Sequence, residues 1–144
     1  MANQEWNKAL ETGLLWQDHQ HRRFFAIRDL LLKSAESADS KLFERTLVLL
    51  EHYVADHFST EEAYMNETHY PELADHLKEH QTFAKMVQRA KREYLAYKKA
   101  LDEGDDTAHN PWIDLGLDLE IWFVEHIRGS DHRLGEFLLQ QNRP

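Results

Sequence analysis

The sequence predicts an all-α fold, an antiparallel up-and-down four-helix bundle with a short C-terminal helix, on three grounds. Proline and glycine are scarce, three and five in 144 residues. No stretch shows the period-two alternation of Val, Ile and Thr that marks a strand. Apolar residues instead recur at steps of three and four along four long segments joined by short polar links, the spacing of helices that bury one face against antiparallel neighbours.

The first helix is expected from about Asp18 to Ser37, carrying His21, Phe24, Phe25, Arg28, Leu31 and Leu32, and ending at the polar turn SADS. The second runs from Lys41 to about Asn66, and its seam of Leu47, Leu50, Val54, His57 and Glu61 sets two ionisable residues in phase with apolar ones. Pro71 suits the first turn of a third helix, where its missing donor is harmless. There Leu73, His76, His80, Phe83, Val87, Ala90, Tyr94, Tyr97 and Leu101 keep a seven-residue rhythm, making it the longest element. Gly104 breaks that rhythm, and Asn110 and Pro111 supply a cap and a first-turn residue for the fourth helix, with the seam Trp112, Leu115, Leu119, Trp122 and His126. After Gly129 a short terminal helix follows, with Ser130 placed to cap it.

With 42% hydrophobic residues, among them four Trp, five Tyr and seven Phe, the chain can bury one good core, so a single domain over 1–144 is expected. The absence of cysteine removes disulfides, thiolate zinc sites, iron–sulfur clusters and a cysteine nucleophile together, and fits a reducing compartment. The opening MANQEWNKALETG shows no basic region followed by an apolar run, and the longest apolar stretches are far too short to cross a bilayer. A soluble, cytoplasmic protein without membrane insertion is expected. Seventeen basic against twenty-six acidic residues give a formal charge of −9, which repels nucleic acid and anionic surfaces and leaves a small or metallic ligand.

Seven residues on the helical seams carry the chemistry: His21, His57, Glu61, His76, His80, His126 and Asp131. His57 with Glu61, and His76 with His80, are four apart and so share a helix face. Such pairs are common on solvated faces, but here both lie in phase with Leu, Val and Phe. An ionisable side chain in that position is costly unless it is partnered or bound to a cation. His126 and Asp131 are five apart, about 140° out of register on a regular helix. They share a site only if Gly129 permits a bulge, a tightened turn or a helix end; the alternative is that Asp131 merely opens the terminal helix. His21 alone reads as readily as a satisfied core histidine. Together, five imidazoles and two carboxylates form the donor set for two iron ions in a bundle core. His19, His52, His69 and His109 are expected at the surface, and His132 at the surface or beside Asp131.

The stretches QDHQHRRFF, HFSTEE, YPELADHLKEHQTF and WFVEHIRGSD, in this order and spanning nearly the whole chain, resemble the hemerythrin family, specifically its single-domain bacterial members. The intervals agree as well: His-x-x-x-Glu, His-x-x-x-His, His-x-x-x-x-Asp and the fifteen-residue step from Glu61 to His76. The resemblance implies one iron held by His76, His80 and His126 and a second held by His21 and His57, bridged by Glu61, Asp131 and an oxo or hydroxo group. It further implies reversible oxygen binding for carriage, storage or delivery, with oxygen held as hydroperoxide on the five-coordinate iron. On that reading the protein is not an enzyme, beyond weak peroxidase or oxidase activity. Its partners would be molecular oxygen and an oxygen-using enzyme or membrane oxidase.

Phe25, Phe58, Trp122, Phe123 and Ile127 lie beside ligands or one turn away and are expected to form a dry oxygen pocket, although ordinary core packing explains each equally well. Phe123 stands where relatives often carry a smaller aliphatic residue, which implies narrower access for oxygen. The long span between His80 and His126 also departs from the family pattern, and implies extended third and fourth helices or a larger loop.

Other readings stay open. A ferritin-type di-iron protein builds its site mainly from glutamates with Glu-x-x-His motifs, and this chain contains no Glu-x-x-His. HLKEH meets the His-x-x-Glu-His pattern of some zinc peptidases, with Glu79 as base, but a zinc hydrolase leaves His57, Glu61, His126 and Asp131 unexplained. Replacing Glu79 with Gln is expected to abolish a peptidase and to leave an oxygen carrier almost untouched. A sensor of oxygen, redox state or nitric oxide acting through a partner protein would keep the site and change its use.

Overall fold

The apolar seams become helices close to where the spacing places them. The structure, a computed structural model, describes residues 5–141, so the two ends of the expected 1–144 domain lie outside the described residues. A 3-10 turn (Lys8–Leu10) precedes α1 (Leu15–Glu36), α2 (Ser40–Glu67), α3 (Leu73–Asp102) and α4 (Trp112–His126); a π-helical turn (Ile127–Asp131) then leads without a break into α5 (His132–Gln141). No strand occurs among the described residues. The α1 helix packs on α2 and α4, and α3 packs on the same two, which with short links gives the expected all-α up-and-down bundle. Among the described residues no helix is long and apolar enough to cross a membrane.

Local signals fix most boundaries. The Asp39 carboxylate accepts the Leu42 N–H at 3.1 Å and opens α2. Asn110 Oδ1 accepts the Trp112 N–H at 3.0 Å, so Asn110 caps α4 as expected, with Pro111 beside it in helical conformation. Gly104, at φ +92°, takes up the left-handed turn after α3. Three expectations need correction. Pro71 lies in the turn ahead of α3 rather than in its first helical turn, because helical conformation begins only at Leu73. The first helix starts at Leu15, before the expected Asp18; the Asp18 carboxylate accepts the N–H groups of Thr12 at 2.7 Å and Gly13 at 3.2 Å, fastening the preceding arm to its first turn. Ser130 caps nothing: it sits inside the continuous π turn, and its hydroxyl donates to Glu79.

The core runs the length of the bundle. At the end where α1 meets α2, Phe43 packs against Tyr94 and Trp112, with ring centroids 4.6 and 5.9 Å away, and the Trp112 indole donates to the Ala90 carbonyl at 3.1 Å. In the middle, Phe24 stacks on Phe123 at 3.8 Å and Phe83 lies 4.8 Å from Trp122. A buried ion pair between Arg28 and Glu120, 2.5 Å long, ties α1 to α4 beside this layer. Leu101, an expected seam residue, is exposed in the last turn of α3. The long interval between His80 and His126 is absorbed by the length of α3 and α4, joined by residues 103–111.

Phe43 is 1% exposed and far from the other end of the bundle. Phe43→Ala is expected to lower stability by about 3–5 kcal/mol in a urea melt, through lost burial and the cavity left behind, without changing metal content.

Candidate metal centre

The opposite end of the bundle gathers the ionisable residues. His21 comes from α1, His57 and Glu61 from α2, His76 and His80 from α3, His126 from the end of α4, and Asp131 from the π turn. All seven are at most 3% exposed. They form two overlapping groups, one of Glu61, His76, His80, His126 and Asp131, the other of His21, His57, Glu61 and Asp131, with the potential ligand atoms of each group within 4.8 Å of one another. The spacing of His126 and Asp131 is reconciled by the π turn. Its wider i→i+5 bonding brings a residue five positions on back to the same side, which a regular α-helix does not. Gly129 lies within that turn, but a Cβ there would meet only ordinary contact, so bulk does not demand a glycine.

Asp131 divides its oxygens between the groups: Oδ1 lies 3.0 Å from His126 Nε2 and 3.2 Å from His76 Nε2, whereas Oδ2 lies 2.7 Å from His21 Nε2 and 3.8 Å from His57 Nε2. Glu61 presents Oε1 to both sides, 3.1 Å from His80, 3.6 Å from His76 and 3.5 Å from His57, while Gln17 donates to its Oε2 at 2.7 Å. The donors suit metal ions. The Nε2 atoms of His57, His76 and His126, and Oδ1 of Asp131, are buried without a hydrogen-bond partner. Unsatisfied buried polar groups cost about 1–3 kcal/mol each, and a cation among them removes that cost. Imidazole with carboxylate and no thiolate suits iron, and also accepts zinc or manganese.

Ionisation follows from the crowding. Burial, which disfavours the charged carboxylate, and the Asp131 charge are outweighed by His57, His76 and His80, which draw Glu61 down to about 2. Burial likewise opposes charge on His76 and His126, but Asp131 with Glu61 lifts His76 to about 9, and Asp131 with Glu79 and Glu61 lifts His126 to about 10. Protons thus do part of the work that a cation would do.

Several neighbours were not singled out in the sequence. His57 Nδ1 lies 2.6 Å from Gln20 Oε1, and His80 Nδ1 lies 3.0 Å from Glu62 Oε1. The Tyr53 ring lies parallel to His57 at 5.8 Å, and its hydroxyl donates to the Gln20 carbonyl. Gln17 stands four residues before His21 and Tyr53 four before His57, so both were findable as same-face partners. Glu79 faces Nδ1 of His126 from outside the cluster, at 3.6 Å, and accepts from Ser130. That is the wrong side for the base of a zinc peptidase. His19, His52, His69 and His109 are exposed, as expected, and His132 is half-buried.

The aromatic residues crowd the same region. Phe58 stacks on His80 at 3.8 Å and half-buried Trp122 stacks on His126 at 4.8 Å. Phe123, fully buried, has its ring 6.1 Å from His21 and 5.9 Å from His57. Ile127 is fully buried at the start of the π turn. Phe25 stands further out, 6.1 Å from Trp6, which itself lies 6.3 Å from His21.

This fold and this cluster define a class of metal-binding helical bundle, and comparison with known proteins says which. Residues 12–138 match the model of the hemerythrin HHE cation binding domain, and the chain belongs to the hemerythrin family. Within it, the chain is 29% identical to the bacteriohemerythrin of Stenotrophomonas maltophilia, over 91% of this chain and 78% of that one. It is 30% identical to the bacteriohemerythrin of Clostridium acetobutylicum, over 88% and 94%. A solved crystal structure of a leucine-to-phenylalanine mutant superimposes with a TM-score of 0.73 at 26% identity, covering 94% of this chain and 97% of that one.

Two outcomes are expected. His80→Ala lowers the metal content per chain while His19→Ala leaves it unchanged, as read by metal analysis; equal effects would contradict this ligand map. In metal-depleted protein, His76 and His126 titrate near 9 and 10 when folded against 6.5 for the free side chain, so the stability they contribute is full below pH 6.5 and is lost as pH rises through 9 to 10. The melting temperature of the depleted protein should therefore fall over that range, and metal uptake at pH 7 should release protons.

Proposed function

We propose that this protein holds two iron ions in the cluster and binds dioxygen reversibly, as a carrier, store or deliverer of oxygen rather than as an enzyme. The observation that carries the reading is the inequality of the two groups: three histidines share Glu61 and Asp131 on one side, and only two histidines share them on the other. The side with fewer protein donors is the one with a coordination position to spare for an outside ligand. Iron, when bound, supplies the electrons that oxygen takes up and returns.

The rest is done by the chain. His21 and His57 are wholly buried, and Phe123 closes over both with Phe24 stacked behind it. A site sealed this way keeps out bulk water and the protons that would turn reversible binding into oxidation. The Tyr53 phenol is no ready proton source: burial first, then the Glu61 and Asp131 charges, push it well above the usual phenol range. Gln17, held against Glu61, donates a neutral amide hydrogen bond and adds no charge. The same reading makes an oxygen-using enzyme or membrane oxidase in the cytoplasm's reach the natural recipient of the oxygen released.

The test is an optical difference spectrum of anaerobically reduced, iron-loaded protein before and after admitting oxygen. A visible charge-transfer band that disappears when oxygen is removed is expected. Direct conversion to the diferric form without such a band would contradict the reading in favour of redox sensing or oxidase chemistry, and no iron-dependent change at all would reopen the zinc alternative. If Phe123 narrows access, Phe123→Leu should speed oxygen association and autoxidation several-fold in stopped-flow measurements; unchanged rates would remove Phe123 from the path.

A further inference from the structure

The side chains behind the histidines differ in charge from one side of the cluster to the other. On the side of His76, His80 and His126, two carboxylates stand behind the rings: Glu62 Oε1 is 3.0 Å from His80 Nδ1, and Glu79 Oε2 is 3.6 Å from His126 Nδ1. The first is a hydrogen bond; the second is a charge contact just beyond hydrogen-bond reach. Glu79 is also fixed by the Ser130 hydroxyl, and Arg133 donates to that same hydroxyl at 3.2 Å, so it is tied to the π turn that carries Asp131. On the side of His21 and His57, the partner of His57 Nδ1 is a carboxamide, Gln20 Oε1, at 2.6 Å. Nδ1 of His21 has no hydrogen-bond partner.

A hydrogen bond from Nδ1 fixes the ring tautomer with its lone pair on Nε2, the atom each of these histidines turns to the centre. A carboxylate partner does more than an amide: it makes the imidazole a stronger donor and adds negative charge that favours the higher oxidation state of the metal behind it. We infer that Glu62 and Glu79 are positioning residues that make the three-histidine metal position the more electron-rich of the two, while neutral Gln20 orients His57 without adding charge at the two-histidine position. The inference rests on the ligand division of the proposed function. It also revises the expectation that an oxygen carrier would hardly notice Glu79→Gln. Both carboxylates are partly solvated, with side-chain exposures of 35% and 41%, so their influence is screened but not removed.

Glu62→Gln, Glu79→Gln and Gln20→Glu preserve shape and change only charge, and Glu93→Gln, half-buried on α3 and paired with Arg89 rather than with the cluster, serves as control. Each iron-loaded protein would be followed by spectroelectrochemical titration, and its metal affinity by competition with a chelator. The midpoint potential is expected to rise in Glu62→Gln and Glu79→Gln, fall in Gln20→Glu and stay in place in Glu93→Gln, and Glu62→Gln is expected to bind metal about tenfold more weakly. A purely structural role would not reverse sign between Glu62→Gln and Gln20→Glu. Potentials that stay at the wild-type value, or that shift in one direction in both, would overturn the inference. If Glu62→Gln does not retain iron, Gln20→Glu decides alone: a lowered potential supports the inference and an unmoved or raised one overturns it. Unmoved potentials in a protein that still binds oxygen reversibly defeat this inference alone; opposite shifts without reversible oxygen binding defeat the proposed function alone; wild-type protein that holds no iron overturns both.

Discussion

Seven ionisable side chains packed at one end of a 144-residue bundle, none more than 3% exposed, set the terms for the rest of the molecule. Buried charge of this density is unfavourable unless every group has a partner. The chain meets that demand from inside and outside. Inside, Asp131 and Glu61 sit among five imidazoles, with Asp131 offering one oxygen to each side. Outside, Gln17, Gln20, Glu62 and Glu79 face the outer atoms of these groups. Among the atoms that still lack hydrogen bonds, Nε2 of His57, His76 and His126 and Oδ1 of Asp131 are the ones a cation would satisfy.

The division of the bundle into two ends follows from this. Phe43, Tyr94 and Trp112 form an apolar core at the end where α1 turns into α2, and the Phe24, Phe83 and Phe123 layer separates it from the ligand cluster. The apolar end supports the helices while the polar end is held in place by metal or by protons. Metal affinity and folding are therefore linked, because ligands scattered over four helices come together only in the folded chain. The aromatic layer has a second consequence: rings that stack on His80 and His126 restrict the imidazoles to one orientation and limit the reach of water.

Much of this was legible from residue order alone. His57 with Glu61 and His76 with His80 could be placed on common faces because a helix repeats every three to four residues, and their inward direction followed from the Leu and Phe residues in phase with them. The capping role of Asn110 was readable for a similar local reason. The junction from His126 to Asp131 was not. An i→i+5 turn leaves no mark in apolar periodicity, so the spacing signals only that something has to give, and nothing in residue order shows that Ser130 sits in an unbroken helix and reaches to Glu79 instead of capping a new one. Gln20 and Glu62 are not legible as partners because each directly adjoins a ligand in sequence, and adjacent residues on a helix ordinarily point apart. Here their longer side chains curl back to Nδ1 of a histidine on another helix, a long-range contact that no sequence window contains.

The central claim is that one buried cluster holds two metal ions that share its carboxylates. The most direct measurement is an anomalous difference map at the iron edge from crystals of iron-loaded protein. The account predicts two peaks, one among His76, His80 and His126 and one between His21 and His57, both bordered by Glu61 and Asp131. A single peak, or iron bound away from these seven residues, would contradict it.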